Sequence, residues 1–414
     1  MACGSVAVVV AFAIACGSRT ALDTSASGAS VGNVLPDGGV ISAQLCPHWS
    51  ATNGPVQVSN IASIVELQAA LPTSSGVLVG FADEQFPPVD SSWHARLVSF
   101  GAGNLGTDQI VLSRNSSSLG WTRVSLANGA SGIAAAASDQ DDGLLFVKTD
   151  GNGAPSGSVT KTSGDLARFL SATSTGYSIL QSPYDESGTS NGPVSLTTLD
   201  PNGDVTGSRA LLAASPAIDG YSRFAFADDS FLLAWRSEGN CSTCSAVYVQ
   251  HFSETGDAIT PPTILHEFAS TDAQEFAIAT SGSGFLFVHA TQTSTSASLI
   301  GEPFDANGNS LGSEQSFAEI PDPDVPPFAI AAAPGGDWIA AWLDDVYRPT
   351  SHVSVQAVNA NGSSEGPATT LASASEGSDA NVMVVASPLG AMALYESDIP
   401  NYGIEVYAIP LKCE

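Results

Sequence analysis

The sequence predicts an all-β fold assembled from one repeated unit. Three observations lead there: a composition crowded with turn formers, a glycine that returns at a near-constant interval, and a set of strand patterns ahead of each such glycine. The 414 residues include 40 Gly and 24 Pro, with 43% hydrophobic and only 13% charged residues, a globular balance rich in turns. The recurring stretches are FGAGNLG (100–106), TDGNGAPSG (149–157), LDPNGDVTG (199–207), FSETGDAIT (252–260), FDANGNSLG (304–312) and VNANGSSEG (358–366). Their internal glycines, Gly103, Gly153, Gly203, Gly256, Gly308 and Gly362, stand 50, 50, 53, 52 and 54 residues apart. A period of that size marks stacked or radially arranged supersecondary units. Asp or Asn ahead of a glycine free to take positive φ is the chemistry of a tight connection between antiparallel strands, so each stretch reads as a hairpin tip. FGAGNLG reads as a shortened version of the others.

Within a unit the elements follow a set order. A small-residue strand comes first: RFAFADD (223–229), EFAIATS (275–281), PFAIAAA (327–333) and NVMVVAS (381–387). A bulkier strand follows, as in FLLAW (231–235), FLFVHA (285–290), WIAAW (338–342) and AMALY (391–395). After a variable loop comes a third strand, AVYVQHF (246–252), SLIGEPF (298–304), HVSVQAV (352–358) or IEVYAI (404–409). The glycine tip then leads into a weaker fourth strand. The second unit reads as WTRVSLA, GIAAAAS and LLFVK before its DGNG tip.

Four short antiparallel strands in about 50 residues make a blade of a β-propeller. The Ala-rich first strand fits the innermost position, where blades converge, and Phe231, Trp235 and Trp342 fit the wider layers between blades. A solenoid of equal period would leave two open ends needing caps. The 368 residues from Cys46 to Cys413 divide into seven units of about 52.6, which predicts a seven-bladed ring. The last unit stops at its third strand, IEVYAIPLKC (404–413), and PVQVS (55–59) is placed to supply the missing fourth. That exchange removes the open sheet edges. A Cys46–Cys413 disulfide would lock it, worth about 5 kcal/mol in the chain-entropy model.

The start of the chain carries a separate message. VAVVVAFAIA (6–15) has the length of a signal-peptide core and is too short to span a bilayer. Small residues end it just before Cys16, and Ala13-Ile14-Ala15-Cys16 resembles the lipobox of bacterial lipoproteins, which implies that Cys16 is lipidated. The other reading is an ordinary secretory signal that happens to contain Cys16. The expected organisation is a signal peptide over 1–15, a Gly/Ser/Ala-rich tether over 16–45 and the propeller over 46–414. Taken with the FLxAW repeats, the chain resembles exported bacterial lipoproteins that carry a propeller on a tether, most of them without an assigned activity. That resemblance implies a location in the bacterial cell envelope, anchored at the outer membrane. No Gly-His to Trp-Asp pairing recurs, and a kelch-like Gly335-Gly336 occurs once. With Cys3 and Cys16 in the leader, Cys46, Cys241, Cys244 and Cys413 read as two disulfides in an exported chain, Cys241–Cys244 being the compact pair. Zinc would need four converging ligands, and the sequence offers one compact pair.

Candidate chemistry is sparse. A net charge of −29, from 41 acidic against 12 basic residues, opposes polyanions and argues against nucleic-acid binding. G-x-S-x-G occurs around Ser190, Ser310 and Ser364, but no helix pattern follows any of them, as a nucleophile elbow requires. His48, His94, His251, His266, His289 and His352 are scattered singly, without metal-ligand spacing. Asp139, Asp141 and Asp142 cluster, as do Asp228 with Asp229 and Asp344 with Asp345. They read as solubilising strand ends, the alternative being a Ca²⁺ site on one face for which Asp139, Asp141 and Asp142 are the candidates. Sialidase-type Asp-boxes are absent. No catalytic residue is assigned and no cofactor is expected. The sequence therefore points to a monomeric, envelope-anchored scaffold binding a protein or glycan, with 238–245 and 344–351 among its variable loops. The alternative is a polysaccharide hydrolase or lyase. Carboxylates converging with a basic or aromatic partner over the axis would favour the enzyme.

Overall fold

The computed structural model describes residues 46–414 apart from 60–63, 85–89, 116–123, 130–131, 140–142, 163–166, 182–192, 213–221, 228–229, 239–243, 269–274, 282–283, 322–324, 345–349, 376–380 and 400–402. All of the regular structure described is strand. Six sheets are four-stranded antiparallel meanders, spanning 64–115, 124–162, 167–212, 222–268, 276–320 and 328–375. These are blades 1 to 6. Blade 7 is the three-stranded stretch 382–413 completed by strands from the start of the chain. The first strands of blades 1 and 2, 2 and 3, 4 and 5, 5 and 6, 6 and 7, and 7 and 1 lie side by side, and Phe169 of blade 3 packs against Phe224 of blade 4. The result is a seven-bladed β-propeller closed into a ring.

Residue size explains the layering. Ala69, Ala225, Ala277, Ala279, Ala329 and Ala331 lie on first strands and are all buried, where converging blades leave room for little more than a methyl group. Second strands are covered by a blade on either side, so Gly284–Gln292 and Trp338–Asp344 are buried almost throughout rather than alternately. Fourth strands face solvent on one side: in Thr263–Phe268 only Leu265 and Phe268 are buried, three residues apart because a register shift interrupts the pairing with the third strand. Phe231 stacks on Phe252 at 5.3 Å and Trp235 on Tyr248 at 5.7 Å, filling the broad outer layers of blade 4.

Every recurrent glycine joins a third strand to a fourth, and all six have positive φ, from 66° to 93°. In five of the tips an Asp, Ser or Asn opens a closed five-residue loop. Asp305 N–H donates to the Asn309 carbonyl at 2.9 Å and Gly308 N–H to the Asp305 carbonyl at 3.0 Å. The Asp305 carboxylate accepts from the N–H groups of Asn307 and Asn309 at 2.8 and 2.9 Å. Asp150, Asp200 and Asn359 repeat this arrangement. The first tip is not shortened as its sequence suggests. It runs one residue longer, from Ser99 to Asn104, with Gly101 also at positive φ.

Each tip also docks on the preceding blade. A Cβ on Gly203 would lie 2.2 Å from Phe146 of blade 2, and one on Gly153 2.7 Å from Ala95 of blade 1. Gly256 meets Leu211 and Leu196 of blade 3, Gly308 meets Val249 and Thr263 of blade 4, Gly362 meets Gly301 of blade 5, and Gly103 meets Val56 and Pro410 of blade 7. Glycine is required twice over, for its backbone angle and for its missing side chain.

The closing strand differs from expectation in its extent. Val56–Gln57, inside the predicted PVQVS, pairs with Ala408 and Tyr407, but Trp49–Ala51 also pairs with Leu411–Cys413. The outer strand of blade 7 is therefore made in two pieces and begins at Trp49. Pro55 and, on the facing strand, Pro410 lack the N–H groups that a continuous ladder needs. Cys46 and Cys413 are joined by a disulfide, with Cα atoms 5.4 Å apart. Blade 7 has no third-to-fourth hairpin, and the entering segment takes its place against blade 6. Pro47 carbonyl lies 3.0 Å from where a Cβ on Gly366 would be, and His48 lies within 3.5 Å of the Thr369 hydroxyl.

Candidate functional site

Antiparallel meanders put the first-to-second and third-to-fourth connections at one edge of each sheet, and the second-to-third connection and the crossover at the other. The ring therefore has two unlike faces. On the tip face, five of the turns share one form. The Asp150, Asp200 and Asp305 carboxylates accept from the backbone of their own turns, while in blade 4 Asp257 pairs with Arg209 and Glu254 accepts from Ser174 of blade 3. Asp200 is held below the usual carboxylate range by the N–H groups of Asp204 and Asn202. Asp305 is held low as well, its partial desolvation being outweighed by hydrogen bonds from Asn309 and Asn307. These carboxylates are structural acceptors within the turns. On the opposite face, the second-to-third connections run from three residues (140–142 and 400–402) to twelve (182–193).

Several charged side chains stand at strand ends toward that second face. Asp344, at the end of Trp338–Asp344, accepts from the backbone N–H of His352 at 2.6 Å and lies 3.2 Å from its Nδ1. Arg223, near the start of Ser222–Ala227, is buried; its Nε donates to the Phe276 carbonyl at 3.0 Å and its guanidinium sits 5.4 Å from the Phe276 ring. Burial pushes the neighbouring Glu275 up to about 7, with Arg223 acting in the other direction.

The most chemically pointed cluster lies at the seam between blades 4 and 5. His266 comes from Thr263–Phe268, the fourth strand of blade 4; His289 comes from Gly284–Gln292, the second strand of blade 5. Glu314 immediately precedes Gln315–Ile320, the fourth strand of blade 5. The tip of blade 5 rests on Val249 and Thr263 through Gly308, and the same docking carries Glu314 onto His266. His266 Nδ1 is 2.8 Å from Glu314 Oε1, His289 Nε2 is 3.6 Å from the same oxygen, and the two imidazole centroids are 4.2 Å apart. Phe268 packs at 4.5 Å from His266, and Phe287 at 5.5 Å from His289. The His289 side chain is 1% exposed while that of Glu314 is 42% exposed, so the cluster runs from an apolar floor to solvent. Burial, reinforced by His266, pushes the pKa of His289 down to about 4 against the pull of Glu314. Glu302 is raised by burial and by Glu314, opposed by the Ser310 hydroxyl and by His266.

Of the residues singled out in the sequence, Ser310 sits in the blade 5 tip. Its Oγ donates to Glu302 Oε1 at 2.8 Å, a carboxylate rather than an imidazole. Ser364 opens the outer strand Ser364–Ser375 of blade 6. Neither stands on a strand-to-helix elbow. His94 pairs with Asp108 at 3.1 Å and stacks on Phe81. Cys244 is disulfide-bonded, and Cys241 lies outside the described residues, as do Cys16, Ser190, Asp141, Asp142, Asp228, Asp229 and Asp345. Asp139 ends Gly132–Asp139 beside that undescribed stretch. The sequence shows His266 and His289 as isolated residues, whereas the fold brings them together. Their spacing of 23 residues has meaning only once the outer strand of one blade is known to pack beside the second strand of the next.

No protein-family model and no curated protein matches the chain by sequence. Solved structures match by fold. One is a protein of unknown function from Dyadobacter fermentans DSM 18053, at TM-score 0.52 and 10% identity, covering 88% of this chain and 99% of that one. Another is a polysaccharide lyase of family PL25, an ulvan lyase bound to -[GlcA(1-4)Rha3S]-, at TM-score 0.54 and 9% identity, covering 88% and 96%. At such identities the likeness is one of fold.

Proposed function

We propose that this protein is a non-enzymatic propeller scaffold that binds a protein or glycan through the face bearing its second-to-third connections and crossovers. The observation that carries this reading is the inequality of the two faces. One carries five closed turns of a single form and a sixth that is one residue longer, with the Asp150, Asp200 and Asp305 carboxylates bound by their own backbone, while the other carries connections of unequal length. Rigid scaffolds with variable loops are the usual setting for recognition. A net charge of −29 adds that the partner is neutral or basic, because a polyanion would be repelled at long range. We place the protein as a monomer in a bacterial envelope, tethered through residues 16–45 and a lipid on Cys16. Intact-mass analysis of the membrane-extracted chain tests that part: an unlipidated chain, or one still carrying residues 1–15, would overturn it.

The second reading, a polysaccharide hydrolase or lyase, draws on the fold shared with the ulvan lyase and on the buried Arg223 beside Glu275. The two readings part in one assay. The full-length chain is incubated with neutral and uronate-bearing polysaccharides while new reducing ends and the ultraviolet absorbance of unsaturated uronate are followed. The scaffold reading expects neither signal; turnover that Glu275→Gln abolishes would replace it with the enzyme.

A further inference from the structure

We propose that His266, His289 and Glu314 form a binding site for a divalent transition metal, zinc foremost, that joins blades 4 and 5 across their seam. One ring nitrogen each of His266 and His289 and one carboxylate oxygen of Glu314 all lie within 4.8 Å of one another, with Glu314 Oε1 2.8 Å from His266 Nδ1 and 3.6 Å from His289 Nε2. Tetrahedral ligands at about 2.0–2.1 Å from zinc sit roughly 3.3 Å apart, so the donors need to move by about an ångström or less. Two imidazoles and one carboxylate match the borderline-soft ions, whereas calcium and magnesium take oxygen ligands. The donor set thus differs in chemistry from the all-carboxylate run Asp139, Asp141 and Asp142.

An independent observation points the same way. His289 is buried, and neither of its ring nitrogens has a partner within hydrogen-bond distance among the described residues, Glu314 Oε1 lying 3.6 Å from Nε2. A buried polar atom without a partner costs about 1–3 kcal/mol. A metal bound to Nε2 would supply the missing partner at the point where the pocket opens toward Glu314. Glu302 and Glu314 face the same small volume, and a cation between them and the imidazoles offsets their repulsion. Three protein ligands leave a fourth position directed to the solvent-exposed side, open to water or to an oxygen or nitrogen of a bound partner.

The test uses the full-length chain stripped with chelator and titrated calorimetrically with zinc chloride, beside Glu314→Gln and His266→Ala variants. The proposal expects one zinc per chain, at least tenfold weaker binding in each variant, and a zinc-dependent rise in melting temperature confined to the parent. Anomalous diffraction at the zinc edge should place the ion between His266 and His289. Glu314 is exposed enough that Glu314→Gln keeps the fold, which circular dichroism in chelator confirms. Absence of zinc binding, equal binding in parent and variants, or an anomalous peak at the cysteines instead would overturn the proposal.

Discussion

At the scale of single residues, the tip glycines answer to two constraints of different strength. All six sit at positive φ, which costs a non-glycine residue on the order of 1 kcal/mol, but the space around them differs. A methyl group on Gly203 would enter the ring of Phe146 at 2.2 Å, whereas one on Gly308 would meet Val249 at 3.2 Å. Overpacking costs about 1–3 kcal/mol, so Gly203→Ala should lose about 3 kcal/mol or more in urea unfolding and Gly308→Ala about 1. Equal losses would show that docking on the preceding blade contributes nothing. Asp305 gives a matching contrast. Asn359 fills the same role in blade 6, so Asp305→Asn should be tolerated and Asp305→Ala should not, as read from melting temperatures. Glu275 supplies a pH dependence. Its pKa in the folded protein is pushed up to about 7 from an ordinary 4.5, so the folded state holds the proton that the unfolded state has lost. Stability therefore falls as pH rises from about 4.5 to about 7. Glu275→Gln should flatten that decline in urea midpoints; an unchanged slope would place its origin elsewhere.

At the scale of elements, ring closure is the exposed point of the design. The two short pieces Trp49–Ala51 and Val56–Gln57 carry the edge of blade 7, and the Cys46–Cys413 bond closes a loop 367 residues long in sequence separation. Cys413→Ser should lower the unfolding free energy by up to about 5 kcal/mol. Hydrogen exchange should then quicken first in residues 404–413, where the edge loses its covering strand. Uniform loss of protection across all blades would instead mean that the ring unfolds as one unit irrespective of its closure. Much of this was legible in advance. The glycine period gave the number of blades, and the missing hairpin after IEVYAI pointed to a swapped strand. The two-piece form of that strand was not legible, because WSA is three residues long and too short to show a period of two. The His266–His289 pair was hidden for a different reason: its members belong to different sheets, and strand patterns describe pairing within a sheet, not packing between sheets.

At the scale of the whole molecule, the account rests on the division between a structural face and a recognition face. Composition foretold the acidic character but not how it is organised: the Asp150, Asp200 and Asp305 carboxylates are drawn into hydrogen bonds from the backbone of their own turns. The decisive measurement is site-specific photo-cross-linking of the full-length chain in the cells that express it. The reactive residue is placed in turn at Ser190 and Ser242, in the second-to-third connections of blades 3 and 4, and at Asn202 and Asn307, in the tips of blades 3 and 5. Adducts from Ser190 or Ser242 with none from the tips are the expected result. Adducts from Asn202 or Asn307 alone would contradict the assignment of the binding face.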